Sequence, residues 1–269
     1  MRDFSADYLR RTREGMWDDS RAALEALSLD DRERILDVGC GTGELSRVLA
    51  EESPGEVIGC DADRTLLARA ADSVEVVAGD AHRLPFPDDT FDLVVCQALL
   101  INLPDPAAAV AEFARVSSEL VAAIEPDNGA VTVESTVDAE STLSARARRA
   151  YLAGVDTDVG LGADARGAFA SANLDVVSTV RYNHARRVEP PYETTALEAA
   201  RRKASGAGLA DDRETMLASD LSQTEYDELR AAWREMGRAV VDQMGEGRYT
   251  RIETVPFYVT VGQLATDGD

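Results

Sequence analysis

The stretch Arg34-Ile-Leu-Asp-Val-Gly-Cys-Gly-Thr-Gly-Glu44 decides the fold of this chain. Ile35–Val38 has the pattern of a short buried strand that carries one acid, and three glycines follow at alternate positions. Leu45–Ala50 then has the apolar spacing of a helix. Glycine tolerates a positive φ and lets a ligand approach the backbone, and the free N–H groups that begin the helix would face that ligand. The stretch therefore predicts the strand, turn and helix of a nucleotide-binding crossover.

The spacing of the glycines distinguishes two kinds of nucleotide-binding turn. A dinucleotide fingerprint is G-x-G-x-x-G, with a pyrophosphate at the helix N-terminus. Here Gly39, Gly41 and Gly43 form G-x-G-x-G, and Glu44 stands where the last glycine would be. A carboxylate there would repel a pyrophosphate, but it suits a ligand with an ammonium and a sulfonium. The stretch resembles motif I of the class I S-adenosylmethionine-dependent methyltransferases, and a tight turn that binds nothing is the alternative.

The resemblance implies a fold and a cofactor. The fold is α/β and doubly wound, with a seven-stranded, mostly parallel sheet, an antiparallel last strand, an N-terminal helical lid and a helical insertion before the last strand. The implied segments of this single domain are a lid at 1–30, a core at 31–189, an insertion at 190–250, and the last strand and tail at 251–269. The cofactor is S-adenosyl-L-methionine, and its expected contacts in motif I are Asp37, Gly39, Cys40, Gly41 and Gly43.

An acid at the end of the second predicted strand fits the ribose of such a cofactor. Asp61 ends the strand Glu56–Asp61 and is followed by Ala62. It lies about 20 residues beyond the glycine turn, the separation found in ribose-binding crossovers. A carboxylate can accept hydrogen bonds from both ribose hydroxyls at once. We expect Asp61 and Ala62 to contact the ribose, and a solvent-exposed turn acid is the alternative.

The third predicted strand, Val74–Ala78, leads to a second acid, Asp80. The resemblance implies that Asp80 meets the adenine amino group and that the backbone of Ala81 lies near a ring nitrogen. His82 either covers the adenine or is a loop histidine with no role. An acid at this position is not expected in a dehydrogenase. Asp80 therefore favours a cofactor with an adenosyl group and no phosphates.

Two further cofactor contacts are expected, one after the fourth strand and one in the N-terminal segment. Gln97 follows the fourth strand, Phe91–Cys96, at the edge of the sheet that faces the methyl group in this family. Residues 5–28 have a helical pattern, and the resemblance places such a segment over the cofactor pocket. Arg13 in that segment could pair with the cofactor carboxylate, and a solvated arginine face is the alternative.

The second half of the chain indicates the methyl acceptor less clearly. Glu125, Asp127 and Asn128 follow the fifth strand and either line an acceptor pocket or cap a turn. Tyr182, His184 and Glu125 are the titratable candidates if the acceptor must lose a proton, so no catalytic residue can be named. Helices are expected at about 195–207 and 224–244 of the insertion. The insertion also contains three aromatic side chains that suit a core better than a ligand cage, and these are Tyr192, Tyr226 and Trp233.

Composition narrows the class of protein. The 269 residues carry a net charge of -22, and Lys203 is the only lysine, which resembles the acidic proteins of salt-loving archaea. No basic stripe indicates nucleic acid, and no long apolar run or signal peptide indicates a membrane.

Cys40, Cys60 and Cys96 form an odd set without C-x-x-C spacing, which favours buried thiols in a reducing cytoplasm. A three-thiolate metal site is conceivable, but no metal is expected.

The function favoured by these patterns is methyl transfer from S-adenosylmethionine to a small-molecule acceptor. A non-catalytic, cofactor-binding regulatory protein is the first alternative. An NAD-dependent oxidoreductase is the second, and Glu44 and Asp80 oppose it. The identity of the acceptor, the atom methylated and the oligomeric state do not follow from the sequence.

Overall fold

The computed structural model describes residues 16–17 and 21–264 of the chain. The chain divides into two compact units. Unit 1 contains the described residues up to Asp127, together with Gly160–Tyr182 and the chain from Phe257 onward. Unit 2 contains Asn128–Val159 and Asn183–Pro256. The division into lid, core, insertion and tail that the sequence suggests stays a prediction.

The strands and helices follow in chain order. The strands are β1 Arg34–Val38, β2 Glu56–Asp61, β3 Glu75–Ala78, β4 Phe91–Gln97, β5 Ser117–Pro126, β6 Thr132–Ser135, β7 Leu174–Val188 and β8 Arg251–Leu264. The α-helices are α1 Glu44–Glu52, α2 Arg64–Ala70, α3 Pro106–Val116, α4 Asp138–Ala153, α5 Ala165–Ser171, α6 Thr194–Ser205, α7 Ala207–Asp211, α8 Arg213–Leu217 and α9 Gln223–Gly245. Short 3₁₀ helices include Arg21–Leu27 and Leu100–Asn102.

Unit 1 is built on a mostly parallel sheet. Its strand order is β3-β2-β1-β4-β5-β8; the pairs among β1 to β5 are parallel, and β8 is antiparallel to β5. Leu93, Val94 and Val95 are consecutive on β4 and fully buried, so both faces of the sheet are covered, as a parallel sheet requires. The predicted α/β fold with an antiparallel last strand is confirmed.

The structure contains one strand more than the sequence predicts. β6 is only four residues long and Val133 is its one apolar residue, so its sequence does not stand out from a loop. It pairs antiparallel with the first part of β8, from Thr132 opposite Thr254 to Ser135 opposite Arg251. The alternation at 174–182 predicts a sixth strand, and the observed strand β7 extends it to Val188 and pairs with β8.

Unit 2 has a helical core of its own. Its buried apolar residues include Val137, Met236, Val240 and Tyr249, with Trp233 packed against them. Ser222 and Glu225 have the spacing of a capping box, and in the structure they exchange hydrogen bonds at the start of helix α9. In the described part of the chain, no helix has both the length and the apolar character that crossing a membrane demands.

Candidate cofactor site

The parallel register brings the carboxyl ends of the strands of unit 1 together. Val38 pairs with Cys60 on one side and with Cys96 on the other, and Cys60 pairs with Val77. The residues that follow β1, β2, β3 and β4 therefore leave the sheet at one edge. Ligands of open α/β sheets bind beyond this edge, and the predicted cofactor contacts that are described lie at or near it.

The glycine turn after β1 has the backbone conformation that the sequence indicates. Gly39, Gly41 and Gly43 have φ values of 71°, 57° and 84°, all in the left-handed region where a side chain is strained. The N–H of Gly39 donates to the carbonyl oxygen of Cys60 at 2.7 Å, and Gly43 is the N-cap of α1. The turn is thus fixed to β2 and leads directly into the helix.

Asp61 connects the end of β2 to that turn. Its Oδ2 accepts from the N–H of Gly41 at 2.9 Å, and its Oδ1 accepts from the N–H of Asp63 at 2.8 Å. Ala62 beside it is exposed. Each carboxylate oxygen has a second lone pair, so Asp61 is oriented by the backbone and can still accept from ligand hydroxyls.

Two more acids stabilise the turn from either side. Asp37 on β1 is buried, and its Oδ2 accepts from the hydroxyl of Ser46 on α1 at 2.5 Å. Glu44, the first residue of α1, accepts from the hydroxyl of Thr42 at 2.7 Å. The carboxylate of Glu44 thus lies at the start of the helix, where a dinucleotide fold would hold its pyrophosphate. Ser46 is a partner that the sequence analysis did not identify.

The acid after β3 is ordered by its own loop. Asp80 Oδ1 accepts from the backbone N–H of His82 at 2.9 Å and lies 3.2 Å from His82 Nδ1. The hydrogen bond from the His82 backbone, followed by the His82 side chain, lowers the pKa of Asp80. The other ring nitrogen of His82 lies 3.1 Å from the carbonyl oxygen of Asp105, so the ring links two loops. Ala81 is buried in the main core, and Gly79 donates to the carbonyl oxygen of Asp61.

Gln97 is the last residue of β4, one residue beyond the predicted end of the strand, and it is buried. Its Nε2 donates to the sulfur of Met16 at 2.8 Å, and the sequence did not indicate Met16 as part of the site. The polar end of the Gln97 side chain therefore contacts Met16. Arg13, the proposed partner of the cofactor carboxylate, lies outside the described residues.

The carboxylate of Glu125 accepts hydrogen bonds from backbone groups inside the protein. Its side chain is fully buried at the end of β5, and it accepts from the N–H groups of Leu99, Leu100 and Ile101 at 3.1, 2.9 and 3.3 Å. Burial raises the pKa of this carboxyl to about 7. Of the two alternatives that the sequence left open for Glu125, the capped turn is the correct one. The loop that Glu125 holds contains Leu99, whose side chain packs against Gly39. A Cβ atom added to Gly39 would lie within 3.2 Å of that side chain.

The other two candidates for a general base lie in different surroundings. Tyr182 belongs to unit 1, and its ring lies 5.5 Å, centroid to centroid, from both Trp17 and Phe257. His184 belongs to unit 2 and is buried, and burial, followed by the charge of Arg186, lowers its pKa. Among the residues named here, the structure identifies no general base at the cofactor edge, so the catalytic residue stays unassigned.

The three cysteines are buried and free. Burial is the main cause that raises the pKa of each thiol: Cys60 to about 12, and Cys40 and Cys96 further above the ordinary value. Protonated, buried thiols of this kind pack as small, weakly polar groups in the sheet.

The aromatic side chains of the insertion are part of the core of unit 2, as the sequence analysis favours. Tyr226 is buried and donates its hydroxyl to the carbonyl oxygen of Leu209 at 2.8 Å. Tyr192 donates to the carbonyl oxygen of Tyr249 at 2.9 Å. Trp233 packs against both apolar clusters of the unit, so these rings do not form a ligand cage.

The Gly39→Ala variant should lower stability by about 1–2 kcal/mol, because φ is 71° there. Its Cβ would also lie 2.9 Å from a methyl carbon of Leu99, which must move. The matched control is Gly167→Ala on the exposed face of α5, where no atom lies within 4 Å. We expect that control to raise stability by about 0.5–1 kcal/mol. Urea unfolding of both variants measures the difference, and equal effects would contradict the strain at Gly39.

Comparisons with known proteins agree with this arrangement. Residues 36–119 match the family model described as "Methyltransferase domain". This segment runs from β1 into β5 and contains the glycine turn, Asp61 and Asp80. The sheet of unit 1 is Rossmann-like, and the matched segment, which is less than half of the chain, is similar to that domain.

Relatives and solved structures extend the comparison. The demethylmenaquinone methyltransferase of Lactiplantibacillus plantarum is 40% identical over 107 residues, which are 36% of this chain and 45% of that protein. The chain thus spans about half the length of the curated relatives it matches. A protein of Bacillus halodurans described as a methyltransferase superposes with a TM-score of 0.55 at 17% identity, covering 93% of this chain and 100% of that chain. The [4+2]-cyclase SpnF superposes with a TM-score of 0.51 at 17% identity, and the superposition covers 98% of this chain and 84% of that chain.

Proposed function

We propose that this protein binds S-adenosyl-L-methionine at the carboxyl edge of unit 1 and transfers its methyl group to a small-molecule acceptor. The observation that carries the proposal is the hydrogen bond from Gly41 to Asp61, which joins the glycine turn to the ribose-binding acid. Asp80 follows β3, the strand that pairs with β2, and we assign it to the adenine amino group. Glu44 at the start of α1 disfavours a pyrophosphate, which argues against NAD.

The residues present fit the cofactor in charge and in polarity. The proposed contacts are Asp37, Gly39, Cys40, Gly41, Gly43, Asp61, Ala62, Asp80, Ala81, His82 and Gln97, with Arg13 from the N-terminal segment. Acids suit the ammonium, ribose and adenine amino groups, which are donors. The cofactor supplies an activated methyl on a sulfonium when it is bound. The chain binds and orients it and excludes water, and this positioning alone can provide much of the rate.

We propose a small molecule as the methyl acceptor. Curated relatives are named for methylation of demethylmenaquinone, which supports a small molecule. The matched segment ends at residue 119, before unit 2 begins at Asn128. Unit 2 therefore has no counterpart in the family match, and the acceptor named for a relative does not carry over.

Methyl transfer is tested with radiolabelled S-adenosylmethionine and a fractionated extract of small molecules in molar potassium chloride. We expect a labelled small molecule that depends on active protein, with heat-treated protein as the control. Binding of S-adenosylhomocysteine without any labelled product would indicate the non-catalytic alternative. Binding of NAD in its place would contradict the cofactor assignment.

We also propose that the protein works in the reducing cytoplasm of a salt-loving organism. The net charge is -22 and there is one lysine. The Lys203 side chain is only 18% exposed, so its strongly hydrated ammonium is kept from the surface. The exposed cations are arginines. The free, buried cysteines support a reducing compartment.

Salt is expected to stabilise this protein strongly. Raising potassium chloride from 0.1 to 2 M should increase the unfolding temperature by on the order of 10 °C, because screening removes the self-repulsion of the surplus carboxylates. Differential scanning calorimetry measures the shift. Sucrose of equal osmolality is the control, because it adds no screening. An unfolding temperature that does not change with salt would contradict the proposal.

A further inference from the structure

One edge of the sheet in unit 1 is formed by an exposed, apolar strand. β7 pairs with β8 on one side, and no described strand lies on its other side. The part of β7 that belongs to unit 1 is Leu174–Tyr182. An edge strand presents backbone N–H and C=O groups that have no strand partner, and these groups can pair with a strand of another molecule. The outer edge of Leu174–Tyr182 is therefore a candidate interaction surface.

The side chains of this stretch do not protect the edge. Five large apolar side chains are exposed in the described part of the chain, and three of them lie here. They are Val176, Val177 and Val180, which are 37%, 57% and 40% exposed. The stretch contains no lysine and no proline, two residues that commonly prevent edge-to-edge association. Exposed apolar side chains grouped on an unprotected edge favour a partner that covers them.

The same stretch is electrically neutral, unlike the chain as a whole. It contains one acid and one base, Asp175 and Arg181, in a chain of net charge -22. Both side chains are exposed, and neither forms an ion pair with another described residue. Two acidic copies that approach each other by this edge therefore meet where there is no surplus of negative charge.

The order of the side chains makes the stretch complementary to a second copy of itself. A two-fold axis perpendicular to the sheet pairs two antiparallel strands about one central residue, which is Ser178 when the whole unit 1 part of β7 is paired. Asp175 of each copy then lies opposite Arg181 of the other. Val176 lies opposite Val180 in the same way. Opposite charges and apolar pairs stabilise directly opposed positions of antiparallel strands, whereas like charges destabilise them.

We propose that two copies of this chain associate by antiparallel pairing of Leu174–Tyr182 with the same stretch of the other copy, centred on Ser178. Both copies use the same surface, so the interface closes as a dimer and leaves no such edge for further addition. The sheet of unit 1 then continues from one copy into the other, and the exposed valines are covered. The proposal goes beyond methyl transfer and does not depend on it.

Sedimentation velocity of the full chain over a range of protein concentrations, in molar potassium chloride, tests the association. We expect an equilibrium between monomer and dimer with a dissociation constant in the micromolar range, because the interface is small. Species larger than a dimer would contradict the closed interface. A wild-type chain that stays monomeric at millimolar concentration would overturn the proposal.

Val176→Glu and a matched control locate the interface. Val176→Glu places a carboxylate against Val180 of the other copy and should weaken dimerisation at least about tenfold, because an unpaired charge becomes buried. Val241→Glu introduces the same charge at a valine of similar exposure, 38%, on α9. It lies outside the stretch and should leave the dissociation constant unchanged. Equal dissociation constants in the two variants would contradict the surface even where the wild type dimerises.

Charge reversal tests the register of the pairing. Asp175→Arg opposes two arginines across the interface, and Arg181→Asp opposes two aspartates, so each variant alone should dimerise about tenfold more weakly than the wild type. Mixed in equal amounts, the two variants should form a heterodimer, because every charged position then faces its opposite. A mixture that associates no better than either variant alone would contradict the pairing centred on Ser178.

Discussion

Replacement of Asp61 by alanine is expected to weaken the binding of S-adenosylmethionine at least about a hundredfold. The proposed ribose contact consists of two hydrogen bonds to a charged group, each contributing about 1.5–3 kcal/mol, and about 2.7 kcal/mol is a hundredfold in affinity. The same carboxylate also accepts from the N–H of Gly41 at 2.9 Å. Its removal therefore loosens the glycine turn in addition to removing the ribose contact. Isothermal titration with S-adenosylhomocysteine measures the loss.

Two further variants separate the ribose contact from charge and from turn geometry. Asp61→Asn keeps the shape and one acceptor oxygen, so its affinity should lie between those of Asp61→Ala and the wild type. Asp72→Ala removes an exposed carboxylate just after α2, so its affinity should equal that of the wild type. If Asp61→Ala and Asp72→Ala bind equally well, the ribose assignment is wrong. In that case the methyltransfer assay still tests the reaction independently.

Replacement of Glu125 by alanine is expected to lower the free energy of unfolding by about 3 kcal/mol or more. The change leaves the buried N–H groups of Leu99, Leu100 and Ile101 without their acceptor, and each unsatisfied group costs about 1–3 kcal/mol. The loop would also lose its support beside Gly39. Urea denaturation measures the loss. The control is Glu75→Ala, which removes an exposed carboxylate from β3 and should change stability by less than about 0.5 kcal/mol.

The pH dependence of this contribution is also predicted. Burial raises the pKa of Glu125 from 4.5 to about 7. Between these values the folded state holds a proton that the unfolded state releases, so the stability due to this group is present below pH 4.5 and is lost as the pH rises through 7. Glu125→Gln does not titrate. The wild type minus Glu125→Gln difference in unfolding free energy should therefore fall by about 3 kcal/mol between pH 4.5 and pH 8, and a difference that is constant with pH would contradict the buried titration.

Much of the cofactor edge could be predicted because its signals are local in sequence. The positive φ of Gly39, Gly41 and Gly43 follows from residue type, and the acid after β2 follows from its distance to the turn. Helix starts depend on neighbouring residues in the same way: Asp105 accepts from the N–H of Ala108 with a proline next to it, and α9 begins with a capping box. In each case the interacting groups are close in the chain or belong to one recurring crossover, so local sequence is sufficient to predict them.

The remaining features depend on contacts between segments that are distant in the chain, so they follow from the three-dimensional fold. Glu125 looked equally suited to an acceptor pocket until the N–H groups of the loop after β4, 24 to 26 residues earlier, were seen to surround it. Glu140 and Tyr249 meet across 109 residues, and no periodicity or spacing predicts that encounter. The pairing of Glu253 with Arg148, Arg186 and Arg251 arises in the same way. The net charge of -22 follows from the sequence. The positions at which the few buried cations lie close together follow from the fold.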